Sequence, residues 1–295
     1  MDPRVSIGLP VFNGEKYLQG ALDSILAQTY RDFELVISDN GSTDATERIC
    51  RDYAARDRRI RYHRLGKNIG LVGNFERVFK ESRGEYFRWA AADDIIAPEN
   101  VQRCLDVMDR YADVVLCYPK ARIIDEHGHV INQYDSHLDA LDLRFDSPKE
   151  RFAGFHNGVG LCNAIYGLIR RAVLEKTSRI TRHIGSDVLL LSELTLYGKI
   201  YEIPDYLFFL RIHPESTLLK SKEQINLYYD PDTSRSTHMR HWVNSKEKIR
   251  RVARSRLRLG EKIGITNLIF LYMIRSRRKI FLELINAIYG RLLKT

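Results

Sequence analysis

Cysteine is scarce and scattered. Cys50, Cys104, Cys117 and Cys162 form no C-x-x-C pair and have no histidine at zinc-finger spacing, which excludes a disulfide-stapled scaffold and a structural zinc module and predicts a reduced, cytoplasmic protein. Met1-Asp2-Pro3-Arg4 has neither the basic region nor the apolar run of a secretory signal, so none is expected. The uncharged run Ile263 to Ile274 has 12 residues, against the roughly 20 that a bilayer-spanning helix needs. Internal repeats and low-complexity tracts are missing as well.

What the chain does have is an ordinary globular composition, 44% hydrophobic and 29% charged over 295 residues. This is enough for two domains or one large α/β unit with an appendage. The charge is unevenly spread. Residues 235–295 carry a net +13 and the preceding 234 residues a net −4, so a mildly acidic body bears a basic tail suited to an anionic surface.

Periodicity predicts an alternation of elements. Val5 to Val11 reads as a buried strand, Lys16 to Gln28 as a helix, Phe33 to Ser38 as a strand and Ala45 to Arg56 as a helix capped by Thr43 or Asp44. A strand at Arg59–Arg64, a helix at Val72–Ser82 and a strand at Tyr86–Ala90 follow. Beyond them come a helix at Asn100–Tyr111, a strand at Val114–Tyr118, a hairpin over Ala121–Val130 and a loop over Asp135–Ser147. Next are a helix at Pro148–Phe155, a strand at Asn163–Ile169, an amphipathic helix at Asp187–Tyr197, and strands at Ile200–Ile203 and Tyr206–Arg211. The tail reads as helices at Lys246–Arg258, Ile263–Ile274 and Ile280–Tyr289. Strands alternating with helices imply a doubly wound, mainly parallel sheet with its ligand crevice at the carboxyl ends of the strands.

Polar clusters stand at those ends. Asp93-Asp94 closes an apolar and aromatic strand; two adjacent carboxylates repel, and a divalent cation bridging to phosphate relieves the cost. The same pair also suits a solvated cap on the helix near Pro98. Asp39, in Ser38-Asp39-Asn40-Gly41-Ser42-Thr43-Asp44, offers an acceptor-only carboxylate for the imino hydrogen of uracil or thymine, or simply an Asx-type turn. Asp187 precedes a leucine-rich run and on residues alone reads as a helix N-cap.

Taken together and in order, these segments resemble family 2 glycosyltransferases. The resemblance is carried by Val5 to Leu18, Ser24-Ile25-Leu26-Ala27-Gln28-Thr29-Tyr30, Ile37 to Asp44, Asn68-Ile69-Gly70 and Ala92-Asp93-Asp94. It implies a GT-A fold, Rossmann-like and mainly parallel, with a C-terminal basic helical extension. It further implies that Pro10, Val11, Asn13 and Asn68 line the donor pocket and that Asp39 contacts the base. By the same resemblance Asp93 faces the ribose and Asp94 ligates Mn²⁺ or Mg²⁺. The sequence departs from the family pattern at Ala91 and Ala92, where many members carry a further acid.

Gly185-Ser186-Asp187 stands where inverting members place a catalytic carboxylate, often written Glu-Asp; Ser186 replaces the Glu. The resemblance makes Asp187 the base that takes the acceptor proton. Arg211-Ile212-His213-Pro214-Glu215-Ser216 resembles the family's Arg-x-His-x-x-Ser segment, which closes over the diphosphate. This implies Arg211 as a phosphate partner and His213 as a further metal ligand.

The expectation is a metal-dependent, inverting transferase. It moves a sugar from a nucleotide donor, a UDP- or dTDP-sugar, to a saccharide or polyprenyl-linked acceptor in cell-surface polysaccharide or glycolipid assembly. Residues 1–112 form its donor half, 113–234 its acceptor half and 235–295 its helical tail. The tail suits peripheral contact with the inner face of a membrane and equally a helical hairpin packed on the body. Two alternatives stand beside this. A sugar-1-phosphate nucleotidyltransferase needs a Gly-rich basic loop after the first strand, which Pro10 to Gly14 is not. A nucleic-acid-binding module would use the tail charge, but the tail's aromatics lie within apolar helical stripes.

Overall fold

The computed structural model describes residues 2–131, 138–182, 184–216 and 240–277. One eight-stranded sheet runs through the body in the order β3-β2-β1-β4-β7-β6-β8-β5. Its strands are β1 (Val5–Val11), β2 (Phe33–Asp39), β3 (Ile60–Arg64), β4 (Tyr86–Trp89), β5 (Ile95–Ile96), β6 (Val114–Ile124), β7 (Leu168–Arg170) and β8 (Lys199–Arg211). β1 pairs in parallel with both β2 and β4, β2 with β3, and β6 with β8, while β7 and β5 join antiparallel.

The central position of β1 and β2 follows from their composition. β1 is buried except for the part-exposed Pro10, and β2 is buried throughout, because helices cover both faces of a parallel sheet. In the N-terminal half these are α1 (Leu18–Leu26), α2 (Thr46–Arg56), α3 (Gly70–Glu81) and α4 (Asn100–Arg110). They divide the interior into one core over α1 and α4, containing Leu18, Leu22, Leu105 and Met108, and a second containing Val78, Phe79, Phe87 and Trp89.

The second half brings α5 (Pro148–Gly158), a short α6 (Arg171–Leu174) and α7 (Ser186–Leu194). Several expectations change here. Segment 138–147 is no free loop: Leu141 and Leu143 are buried, and Leu143 bridges Ile200; residues 132–137 lie outside the described residues. Asn163–Tyr166 is a 3-10 turn rather than a strand, led in by Cys162 at φ +60°. The expected hairpin is present in short form at the end of an unbroken β6: Ile124 bridges Val130 antiparallel, Asp125 N–H donates to the His129 carbonyl and Ile131 N–H to the Ile123 carbonyl, and Gly128 N–H closes the turn on the Asp125 carbonyl.

The amphipathic reading of α7 also fails, since Leu189 to Leu194 are all buried. The reason is the tail. Helices α8 (Arg240–Arg254) and α9 (Leu259–Arg275) lie on the body, where Val252, Ile265 and Ile269 close a third core with Phe152 and Leu196. The segment Ile280–Tyr289 lies outside the described residues.

Candidate active site

The carboxyl ends of β1 and β2 are laced together by two short loops. Asn13 adopts φ +51°, a left-handed conformation that asparagine tolerates. Its N–H donates to Ser42 Oγ at 2.9 Å and its Oδ1 accepts from Thr43 N–H at 2.9 Å. Gly14 N–H donates to Thr46 Oγ1 at 2.9 Å, and Glu15 accepts from Ala45 N–H at 2.8 Å. The turn needs Gly41, at φ +76° with the Lys67 backbone against it.

Asp39 ends β2 with no exposure to solvent. One carboxylate oxygen accepts from Ser42 N–H at 2.8 Å and the other from Tyr62 Oη at 2.9 Å, with Arg64 Nε 3.7 Å away. Burial first, and the hydrogen bond to Asp39 second, push the Tyr62 phenol well above its ordinary value. Tyr62 therefore stays a neutral donor. Asn68 reaches the same corner indirectly: its Oδ1 accepts from Asn40 Nδ2 and from Gly70 N–H, each at 2.8 Å. It thereby holds the loop before α3 beside Asp39.

The second cluster gathers around β4's exit. Asp94 is 6% exposed, and its Oδ1 accepts from Arg211 N–H at 2.9 Å. Desolvation, reinforced by the neighbouring Asp93 charge, pushes its carboxyl well above the usual range. Asp93 is more open, with Oδ2 lying 3.0 Å from His213 Nε2. The imidazole in turn rests against the Tyr17 ring, with centroids 4.6 Å apart, and the Arg211 guanidinium lies 5.0 Å over that same ring.

Arg211 is largely occupied. Its Nε donates to the Asp93 carbonyl at 2.8 Å and its Nη1 to the carbonyls of Asp125 and Glu126 at 2.9 and 3.2 Å. The closing turn is tight: His213 N–H donates to Ser216 Oγ at 3.0 Å and Ser216 N–H to the His213 carbonyl at 2.9 Å. One arginine thus ties together the Asp pair, the β6 turn and the His213 loop.

Whether this cluster suits a divalent cation depends on its donor set. Among the described residues no group of three His, Cys, Asp or Glu side chains converges. Asp93 and His213 supply one oxygen and one nitrogen, and Asp94 adds a buried carboxyl that accepts the Arg211 backbone N–H and that an adjacent cation would help to ionise. Two protein ligands beside a buried carboxyl fit an ion that takes its other ligands from phosphate and water.

Asp187 sits apart, on α7 in the second half. It follows Gly185 at φ +79°, and its Oδ1 accepts its neighbour Val188 N–H at 2.8 Å. Among the described residues no hydrogen bond joins it to Asp93, Asp94 or His213. Its charge bears on Asp139, a buried carboxylate that accepts backbone N–H groups from Gly160, Cys162 and Ala164 at 2.6, 3.1 and 2.8 Å. Desolvation dominates there and raises Asp139, with Asp187 adding to it.

Comparison with known proteins bears on this arrangement. The sequence pattern of the family described as "Glycosyl transferase family 2" matches residues 6–177. The chain belongs to glycosyl transferase family 2. An uncharacterised glycosyltransferase of Rickettsia typhi is 28% identical over 211 residues, covering 71% of this chain and 59% of that protein. The chondroitin synthase of Escherichia coli is 35% identical over 131 residues, 44% of this chain and 19% of that one. The chain therefore spans less than two thirds of either relative.

Among solved structures, Staphylococcus aureus TarS 1–349 in complex with UDP superposes with a TM-score of 0.64 at 17% identity, covering 95% of this chain and 73% of that one. A Pyrobaculum calidifontis mannosyltransferase in complex with GDP-Man and Mn²⁺ gives 0.54 at 14%, covering 100% of this chain and 88% of that one. The family 2 member described here thus has the GT-A fold.

Tyr17 and Tyr62 were not singled out in the sequence. Tyr17 lies inside the opening motif, and Tyr62 occupies the β3 position next to Asp39's strand, paired with Ile37. The alternation of β3 could have flagged the latter.

Proposed function

We propose that this protein transfers a sugar from a nucleotide-sugar donor to an acceptor hydroxyl with inversion. The single observation that carries the reading is the convergence of Asp93, Asp94, Arg211 and His213 at the carboxyl edge of the sheet, next to the Asp39 corner. A UDP- or dTDP-sugar is the favoured donor, because Asp39 is an acceptor-only carboxylate at the end of β2 held by Tyr62 and Ser42; as it is closed off from solvent, the base has to displace part of its cover to offer it an imino hydrogen. The TarS complex with UDP supports this choice. Val11, Asn13, Pro10 and Asn68 shape the donor pocket of residues 1–112, and residues 113–234 receive the acceptor.

Asp187 is the proposed base. It takes the acceptor hydroxyl's proton as that oxygen attacks the anomeric carbon from the face opposite the leaving group. The bond from that carbon to the diphosphate oxygen breaks, and the nucleoside diphosphate departs. Asp93 and His213 are the residues we assign to Mn²⁺ or Mg²⁺, in place of Asp94, whose buried carboxylate tunes the charge behind them. When bound, the cation supplies charge stabilisation on the departing diphosphate. Arg211 holds the closing turn over the phosphates by its backbone anchors and adds positive field there.

The setting proposed is assembly of a cell-surface polysaccharide or glycolipid, with the protein peripheral on the inner face of the membrane and the acceptor a saccharide or polyprenyl-linked sugar. Calorimetric titration with UDP, dTDP and GDP tests the site. Binding of a uracil or thymine nucleotide that strengthens with Mn²⁺ and is lost in Asp39→Ala supports it. Binding of none of the three, with or without cation, overturns it.

A further inference from the structure

Helix α9 is apolar on both sides. Ile265 and Ile269 are 0% and 2% exposed and face the body. On the other side Leu259, Ile263, Phe270 and Ile274 fall within about 60° of one another at 100° per residue, with Leu271 beside them. These five are 74%, 53%, 50%, 60% and 53% exposed, in the same order. A helix with apolar residues on its outer face has a second contact to make.

Charge identifies the partner. The stretch 240–277 holds eleven Lys and Arg against two acids. Arg256 and Arg258 lie exposed before the apolar stripe, and Arg275 and Arg277 lie exposed after it. On α8, Trp242, Lys246, Arg250 and Arg254 follow one another at four-residue spacing, all exposed, and Trp242 is 46% exposed. An apolar stripe with bases at both ends matches a plane in which acyl chains lie beneath anionic head groups. A second copy of the same surface would set cation against cation. No helix among the described residues is long and apolar enough to cross a membrane, so α9 would lie along the surface.

We propose that α9 lies flat in the interface of a bilayer bearing anionic lipid, with Ile263, Phe270, Leu271 and Ile274 entering the acyl boundary and the flanking arginines on head-group phosphates. This rests on the reading of the protein as peripheral on a membrane, and it names the surface and the lipid class. The orientation has a consequence for the acceptor. α8 joins α9 to the Asp187 region: Asn244 Nδ2 donates to the Ile184 carbonyl at 3.3 Å, and Arg251 pairs with Glu193 of α7 at 2.8 Å. Docking α9 therefore sets α7 and its Asp187 at a fixed height above the lipid.

The test is sedimentation of the full chain with vesicles of phosphatidylcholine alone or mixed with phosphatidylglycerol, at low and high salt. The expected result is binding to the mixed vesicles only, weakened by salt. The triple substitution Ile263→Gln, Phe270→Gln and Ile274→Gln should lower partitioning by about tenfold or more. Arg256→Gln, Arg275→Gln and Arg277→Gln should each cost roughly fivefold.

The substituted residues are exposed, so circular dichroism and elution volume should match the parent. Equal partitioning of parent and triple variant overturns the proposal, as does absence of binding. It is also overturned by a parent that elutes as a dimer which the triple variant dissolves, or by one that shifts DNA and ignores vesicles. Donor hydrolysis measured without vesicles should be the same in the parent and the triple variant. If neither hydrolyses any donor while both lipid results hold, the transfer reading fails and the lipid surface stands.

Discussion

His213 Nε2 lies 3.0 Å from the Asp93 carboxylate, 120 residues earlier in the chain, while the imidazole ring rests on Tyr17. Three distant segments thus meet at one point: the start of α1, the exit of β4 and the turn after β8. The contact is held from behind, because Arg211 spends its donors on the carbonyls of Asp93, Asp125 and Glu126.

Tyr17 is therefore a positioning residue. Tyr17→Phe keeps the ring beneath His213 and Arg211 and should leave donor hydrolysis near the parent rate. Tyr17→Ala removes the platform and should cost on the order of ten- to a hundredfold in kcat through misplacement of the His213 turn. Steady-state hydrolysis of the preferred donor, with the fold checked by circular dichroism, measures the difference.

The ion pair between Arg251 and Glu193 joins the tail to α7 with side chains 3% and 5% exposed. Glu193 also accepts Ser178 N–H at 3.0 Å. Arg251→Ala leaves a buried carboxylate without its cation and should destabilise by about 3–5 kcal/mol. Arg251→Met with Glu193→Leu removes both charges and should recover most of that loss. Chemical denaturation of the four proteins of the cycle gives the values.

Acid should loosen the tail. His156 of α5 stacks on Tyr272 of α9 at 4.4 Å, and its Nε2 lies 2.9 Å from Lys248 Nζ of α8. Burial, helped by the Lys248 charge, lowers the imidazole from 6.5 to about 4, and burial lowers Lys248 from 10.5 to about 8. The unfolded chain therefore binds more protons than the folded one between pH 6.5 and 4 at His156, and between pH 10.5 and 8 at Lys248. Both contributions weaken the fold as pH falls through those windows. His156→Gln keeps an acceptor for Lys248 but does not titrate. It should flatten the loss of stability between pH 6.5 and 4 by on the order of 2 kcal/mol, read from melting curves at stepped pH.

The N-terminal half was legible in the sequence because its signals are local. β1 and β2 are continuous apolar runs, and their polar ends mark the carboxyl edge of the sheet directly. The second half was harder because its determinants are long-range. Leu141 and Leu143 look like loop residues until Ile200 is brought beside them. Asn163–Tyr166 has strand-like composition but is bent into a 3-10 turn as Asp139 gathers three N–H groups. α7 lost its amphipathic appearance once α8 covered its outer face. What adjacent identical residues do not reveal is that Asp94 is buried while Asp93 stays partly open; the roles proposed for the two rest on that difference.

The most direct test is nucleoside diphosphate release from a panel of UDP-, dTDP- and GDP-sugars with Mn²⁺, Mg²⁺ or a chelator. The parent is compared with Asp93→Asn and Asp187→Asn. The account predicts cation-dependent release from a UDP- or dTDP-sugar, abolished in Asp93→Asn. In Asp187→Asn, turnover should fall by on the order of 10²–10⁴ with donor binding retained. Release that proceeds unchanged in the chelator and in Asp93→Asn would contradict it.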